Sequence, residues 1–261
     1  MMGITHATSG AAAWIAITGA MPVLSLGAYP LDPVGVLAGT AVCAGAALLP
    51  DADHHSATIA QAVPVLGRLT TATVGTLSGG HRHGAHSSIG LAIVAVGAWA
   101  LTLLTLETDE FGTVALGAGI GAAALTCFGL KARGFVKTWL LAWALGALLG
   151  AGIVVFAPEQ VAWFPLAVAV GFVAHLAGDF LTTGGLPGLF WPWMPRPPER
   201  LREVPVLNRL WLPNGRVALP LLGDTGSFRE TMLGTGLALY CFAGFGIEVL
   251  RLSGVQWFPG A

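Results

Sequence analysis

Read for polarity alone, the chain alternates long apolar runs with short polar bursts. Runs free of Asp, Glu, Lys and Arg cover residues 3–31, 33–50, 83–106, 111–130, 138–158, 160–178 and 231–247. Each approaches or exceeds the roughly 17–25 residues with which a helix crosses about 30 Å of hydrocarbon. Glycine and alanine recur inside the runs, as in membrane helices that pack closely. The pattern predicts an all-α fold: one integral-membrane domain over residues 1–261, a polytopic helix bundle of about seven transmembrane helices. The stretch 63–80 could lie on the membrane or dip into it, changing the count by one. One long polar connection, 183–229, is rich in Pro, Arg and Trp.

Composition agrees with that reading. The chain is 55% hydrophobic and 10% charged, with a mean hydropathy of +0.76, outside the soluble range. The first run has neither a basic leader nor a small-residue cleavage site, so it is expected to be a retained helix. A net charge of −1 argues against a general nucleic-acid binder. Cys43, Cys127 and Cys241 fall in separate runs, which suggests buried small residues instead of a disulfide frame or thiolate site.

Charge then sets an orientation. Eleven of the 12 basic residues lie in three alternate loops: Arg68 and Arg82; Lys131, Arg133 and Lys137; Arg196, Arg200, Arg202, Arg209, Arg216 and Arg229. The opposite loops carry Asp32, then Glu107, Asp109 and Glu110, then Glu159. By the positive-inside rule the basic side is cytoplasmic, with the N-terminus inside and the C-terminus outside a bacterial-type inner membrane. Trp191 and Trp193 in the 183–229 loop are expected at headgroup depth, with arginines toward lipid phosphates. An ordinary cytoplasmic loop would carry the same residues.

The polar bursts hold the candidate chemistry. Asp51, Asp53, His54 and His55 follow the second run, and His81, His83 and His86 sit at the start of the third. His6 opens the first run, His175 and Asp179 lie near the end of the sixth, and Asp224 and Glu230 precede the seventh. In the expected topology all of them face the cytoplasmic side. His175 and Asp179 are four apart and share one helical face. An aspartate there costs roughly 2.5–3.5 kcal/mol on insertion scales, so it needs a partner or a wet cavity. A metal ion would meet that need; so would an arginine on Asp179 and a carbonyl on His175. Imidazoles and carboxylates without thiolates suit a divalent transition ion, Zn, Mn or Fe, better than Ca or Mg. The number of donors allows one ion or two, and two-metal sites favour phosphoryl chemistry. Some of these groups could instead orient the imidazoles that bind.

Several motifs occur in order along nearly the whole chain: Thr5-His6, the LPDADH run at Leu49 to His54 and the HRHGAHS run at His81 to Ser87. They continue with HLAGDFLTTGG at His175 to Gly185, Trp191-Pro192-Trp193 and TGSFRE at Thr225 to Glu230. This ordered set resembles the YdjM-type family of inner-membrane metal-dependent hydrolases. Two positions depart from that family's pattern: His83 stands where it has glycine, and Ala85 where it has threonine. His83 is therefore an extra imidazole without support as a ligand, and Ala85 lacks a hydroxyl that could have oriented one.

The resulting expectation is a membrane-embedded metal-dependent hydrolase with its site at the cytoplasmic leaflet. The metal ligands would come from His6, Asp51, Asp53, His81, His86, His175 and Asp179. Glu230 is the first candidate for general base or further ligand, and His54 the next. A bound ion would lower the pKa of a water toward about 7. Arg82 could neutralise a phosphate or an oxyanion, or simply serve as an inside charge. Location suggests a lipid or lipid-linked phosphate or ester as substrate and membrane lipids as partners. Two rival readings remain: a membrane scaffold with a structural metal that binds a cytosolic protein partner, and a metal or proton transporter. A transporter should carry polar groups through the midplane, and the middles of the third, fourth, fifth and seventh runs are almost purely apolar. Neither a P-loop nor a Gly-x-Ser-x-Gly elbow is present.

Overall fold

The computed structural model describes residues 1–21, 25–157, 160–187 and 191–254. Helix makes up 65% and strand 4%, which places the chain in the all-α class. In chain order the helices are α1 (Gly3–Thr18), α2 (Pro33–Ala46), α3 (Thr58–Ala62), α4 (Leu66–Leu77), α5 (Ser88–Thr102) and α6 (Leu116–Ala132). They continue with α7 (Trp139–Phe156), α8 (Gln160–Phe180), α9 (Glu199–Arg202), α10 (Pro205–Leu210) and α11 (Phe228–Leu252). Short 3-10 turns form at Pro50–Asp53 and Gly84–His86, and β1 (Leu106–Thr108) pairs antiparallel with β2 (Gly112–Val114).

Each of the seven apolar runs contains a helix, but four stretches are long and apolar enough to cross a membrane: Pro33–Asp53, Trp139–Phe156, Val161–Phe180 and Phe228–Leu252. Of the about seven spans expected, four meet these requirements of length and apolarity among the described residues. The reason is that turns consume part of the other runs. The first run yields a helix of 16 residues, about 24 Å at 1.5 Å per residue. Its second half folds back, with Leu26, Tyr29 and Leu31 donating to the carbonyls of Ala16, Ile17 and Thr18. α5 and α6 are shorter apolar helices. The 63–80 stretch becomes α4, whose Leu66, Leu69 and Leu77 are exposed while Thr71 is buried. Glu159, residues 188–190 of the tryptophan-rich loop and the C-terminal end lie outside the described residues.

Large apolar side chains point outward from the apolar helices: Leu140 and Leu148 on α7, Phe242 and Leu239 on α11, Ile93 and Trp99 on α5 are all exposed. That inversion suits a hydrocarbon surround, where burying them inside brings no hydrophobic gain. The interior is instead built of small residues around α2, on which α1, α6, α8 and α11 pack. A methyl group at Gly45 would stand 1.8 Å from the Leu125 carbonyl oxygen of α6. One at Gly171 of α8 would stand 2.5 Å from the Cys43 carbonyl oxygen of α2. These glycines let backbones touch, which brings the ends of α1, α2 and α8 together at one end of the bundle. Trp14, Trp163 and Phe164 fill the apolar middle.

Gly45→Leu and Gly97→Leu form a matched test of this packing, since nothing lies within 4 Å of a methyl at Gly97. Gly45→Leu should lower the Tm in detergent by an amount equivalent to about 1–3 kcal/mol or more. Gly97→Leu should leave it unchanged or slightly raised, because Leu is the better helix former. Equal melting points for the two variants would contradict close packing at α2.

Candidate metal centre

The end of the bundle where α1 starts and α2 and α8 finish collects the polar bursts. α2 stops at Ala46, and Pro50 opens a 3-10 turn that carries Asp51 and Asp53. His86 ends the second 3-10 turn, and Ser87 then caps α5 by accepting from the Gly90 amide. Gly84 in that turn packs against the indole of Trp191, which is only half-buried, while Trp193 is exposed. His6 lies one turn into α1, and His175 and Asp179 occupy the last turns of α8. Arg133 from the loop between α6 and α7 reaches Thr8 of α1 at 2.7 Å, so that basic loop sits at the same end.

Five edges of a compact polyhedron join four donor atoms. His86 Nε2 lies 3.2 Å from His175 Nε2, 3.5 Å from Asp51 Oδ1 and 3.6 Å from Asp179 Oδ2. His175 Nε2 lies 3.8 Å from Asp51 Oδ1 and 3.6 Å from Asp179 Oδ2. Donors at about 2.0–2.2 Å around a tetrahedral ion stand roughly 3.3–3.6 Å apart, so the spacing fits one ion. His175, His86 and Asp179 are buried, while the Asp51 side chain keeps 24% exposure.

The far ring nitrogens decide which atoms are free. His175 Nδ1 is 2.7 Å from the carbonyl oxygen of Ala47, an acceptor only, so it donates there. His86 Nδ1 is 3.2 Å from Asp53 Oδ2 and likewise donates to a carboxylate. Each neutral ring then presents the lone pair of Nε2 to the other, and that opposition needs a proton or a metal ion between them. His6 adds to the demand. It stacks on His175 with centroids 3.6 Å apart, its Nε2 lies 3.3 Å from Asp179 Oδ1, and neither ring nitrogen has a hydrogen-bond partner among the described residues. Asp179 Oδ2 also lacks one.

Asp53 takes a different position. Its Oδ1 accepts from His81 Nδ1 at 2.8 Å, and its Oδ2 accepts from the Arg82 amide at 3.1 Å as well as from His86. It thus orients two imidazoles by their far nitrogens, the arrangement that fixes tautomers in metal sites. Asp51, Asp53, His81 and His86 together still offer donor atoms within 4.8 Å of one another, as do His6, His175 and Asp179. His86 and Asp51 bridge these two groups. Asp179 Oδ1 accepts from Arg82 Nη2 at 3.0 Å and from the amino group of Met1. Both alternatives to a metal, an arginine on Asp179 and a carbonyl on His175, are therefore realised, yet they leave Asp179 Oδ2 and both His6 nitrogens without partners among the described residues.

The two expected bases lie elsewhere. Both oxygens of Glu230 are engaged by backbone amides, Met2 at 2.6 Å and Gly226 at 2.8 Å, so this buried carboxylate anchors the first residues to α11 instead of joining the donor group. His54 is half-buried, with Nδ1 2.7 Å from Ser56 Oγ and its ring 4.8 Å from that of His81. His83 turns its Nδ1 to the His81 carbonyl at 2.9 Å, away from the donors. Arg216 was not singled out from the six arginines of its loop, yet its Nη2 donates to the His81 carbonyl at 3.0 Å. Spacing along the chain holds no signal for it.

Electrostatics differ sharply between neighbouring rings. Burial works to lower the His86 pKa, but hydrogen bonds to Asp51 and Asp53 and the charges of Asp53 and Asp179 outweigh it, and the net shift is upward. His54 is shifted downward, by burial and then by His81 and His55. Arg216 is lowered by burial and by the neighbouring charge of Arg82.

A family model described as YdjM inner membrane protein matches residues 1–249. Among curated proteins and among solved structures there is no match.

A metal must displace the proton that His86 holds with raised affinity. Zn affinity of the detergent-purified protein should therefore fall by about tenfold per pH unit for each proton displaced as the pH drops below the His86 pKa. Asp53→Asn should weaken binding about 10–100-fold, whereas His175→Ala should abolish it. Isothermal titration between pH 8 and pH 5.5 reads both effects. A pH-independent affinity would show that His86 is not a ligand.

Proposed function

The chain belongs to the YdjM inner membrane protein family, and we propose that it is a metal-dependent hydrolase acting at one face of the membrane. The observation that carries this reading is the pair of buried Nε2 atoms 3.2 Å apart, flanked by carboxylate oxygens of Asp51 and Asp179. His86, His175, Asp51 and Asp179 would hold one divalent transition ion, with His6 beside them. Such an ion supplies Lewis acidity, lowering the pKa of a water and polarising an ester or phosphoryl oxygen.

The protein's own groups complete the chemistry. Asp53 holds His81 by Nδ1, leaving Nε2 to accept a proton at the rim, where the side chain is 40% exposed. A histidine steered by a carboxylate is the usual arrangement for a general base. We assign that role to His81 in place of Glu230, whose oxygens are occupied, and of His54, which lies further out. Arg82 neutralises Asp179 and stands ready for developing negative charge.

One-sidedness favours an enzyme over a transporter. Buried Thr40, midway along α2, and Thr18, at the far end of α1, spend their hydroxyls on the carbonyls of Val36 and Trp14 within their own helices. They offer no relay toward the other face. The basic loops at the site end support a cytoplasmic placement. An amphiphile from that leaflet, a lipid phosphate or ester, is the substrate class that this location suits.

Metal content and turnover of a panel of lipid phosphates and esters test the proposal together. The purified protein should contain near-stoichiometric metal and lose activity on chelation, with recovery on adding Zn or Mn. His81→Gln should keep the metal and lower kcat about 10²–10⁴-fold. Metal without turnover, with unfolding on chelation, would support the scaffold reading; no metal at all would sink the hydrolase.

A further inference from the structure

Two described parts of the loop 183–229, Trp191 and Arg216, reach the turn that carries His81 and His86. Leu186 and Val217 exchange two backbone hydrogen bonds at 2.9 and 2.8 Å, which folds the segment back on itself. This turn delivers Arg216 onto the peptide between His81 and Arg82, with Nη2 on the His81 carbonyl. Arg216 Nε is buried and has no hydrogen-bond partner among the described residues. Arg82 arrives from the other side. Its backbone adopts φ +57, a strained conformation for a non-glycine residue. Its amide is held by Asp53, and its guanidinium reaches Asp179 and, at 3.4 Å, Thr182. A methyl at Gly184 would lie 1.8 Å from Arg82 Nη1, so that glycine makes room for the side chain.

The two guanidinium groups brought near one another beside the cluster repel; Asp179 and Asp53 offset part of that repulsion, and a bound anion facing both would offset more. Charge bookkeeping points the same way. Asp51, Asp53 and Asp179 balance Arg82, Arg216 and the amino group of Met1 with the histidines neutral, and a single divalent ion then leaves two positive charges. A neutral ester needs no such excess. We infer that the site takes a substrate carrying a phosphate group, held at the rim between Arg216 and Arg82. This inference rests on the hydrolase reading for its metal, though not for its arginines. Arg216 is the phosphate-binding residue that the tertiary fold adds, and its planar fork can hold two phosphate oxygens at once.

The test uses the full chain in detergent, loaded with Zn, beside Arg216→Gln and Arg216→Lys, with metal content measured for each. The probes are inorganic phosphate, and micelles carrying phosphatidic acid or, as the phosphate-free control, diacylglycerol. Wild type should bind phosphate, and Arg216→Gln should bind it about 10–100-fold more weakly at unchanged metal content. Arg216→Lys should fall between, since it keeps the charge and loses the fork. Binding of inorganic phosphate and of phosphatidic acid alike identifies the phosphate itself as the recognised group. Arg216-dependent binding of phosphatidic acid micelles alone identifies a lipid-borne phosphate. A metal-loaded wild type that binds neither probe, or binds them no better than Arg216→Gln, overturns the inference and leaves the hydrolase reading intact. A wild type without metal overturns that reading instead. Phosphate binding by the metal-free protein then decides the arginine cleft: loss in Arg216→Gln keeps it, and no binding ends it.

Discussion

Two imidazole nitrogens, each with its other nitrogen already committed as a donor, face one another 3.2 Å apart in a buried space. Two bare lone pairs would repel there, so a proton on one ring or a metal ion between them completes the contact. Two carboxylates complete the surround, and a third orients one ring from behind. Much of the remaining architecture serves to keep these groups converged. The Ala47 carbonyl that fixes His175 is available because α2 has ended there, and the 3-10 turn that follows swings Asp51 and Asp53 into place.

Convergence at that end depends on how closely the helices approach. In hydrocarbon, apolar burial does not pull helices together, so association rests on packing contact and hydrogen bonding. α2 meets this constraint with glycine and alanine, against which α1, α6 and α8 lie backbone to side chain and in places backbone to backbone. Bulky residues are displaced to the outside, where lipid tails receive them. The same small residues that stabilise the bundle also set the separation between His6 on α1 and His175 on α8, whose rings stack at 3.6 Å.

Charge is placed with similar economy. Buried Asp179 meets Arg82, and buried Glu230 and Glu248 accept backbone amides, Met2 and Gly226 for the first and Ala20 for the second. Glu230 ties the start of the chain to α11 near the site, and Glu248, paired with Arg251, ties the far end of α1 to the same helix. These carboxylates brace α1 along its length. Among the described residues, both ring nitrogens of His6 and Asp179 Oδ2 are buried without a hydrogen-bond partner, as a bound ligand would require.

By itself the sequence determined the class of protein and most of the candidate donors. Charge-free runs can be read directly because crossing hydrocarbon forbids unpaired charge. His175 and Asp179 can be read as a pair because helical periodicity is local. His6, Asp51 and His86 were legible as polar residues at the boundaries of such runs, on one expected side. Local periodicity does not say where a run stops being helix, which is why the 3–31 run gave only a 16-residue α1 and the full count of spans was not readable. Nor does it say which oxygen of a carboxylate faces which nitrogen. Only the tertiary structure turned Asp53 to the backs of His81 and His86, bound both oxygens of Glu230 to the backbone and brought Arg216 beside His81. Those assignments rest on contacts between residues up to 228 positions apart, such as Met2 with Glu230, and hydrogen-bond direction over such separations is settled by packing.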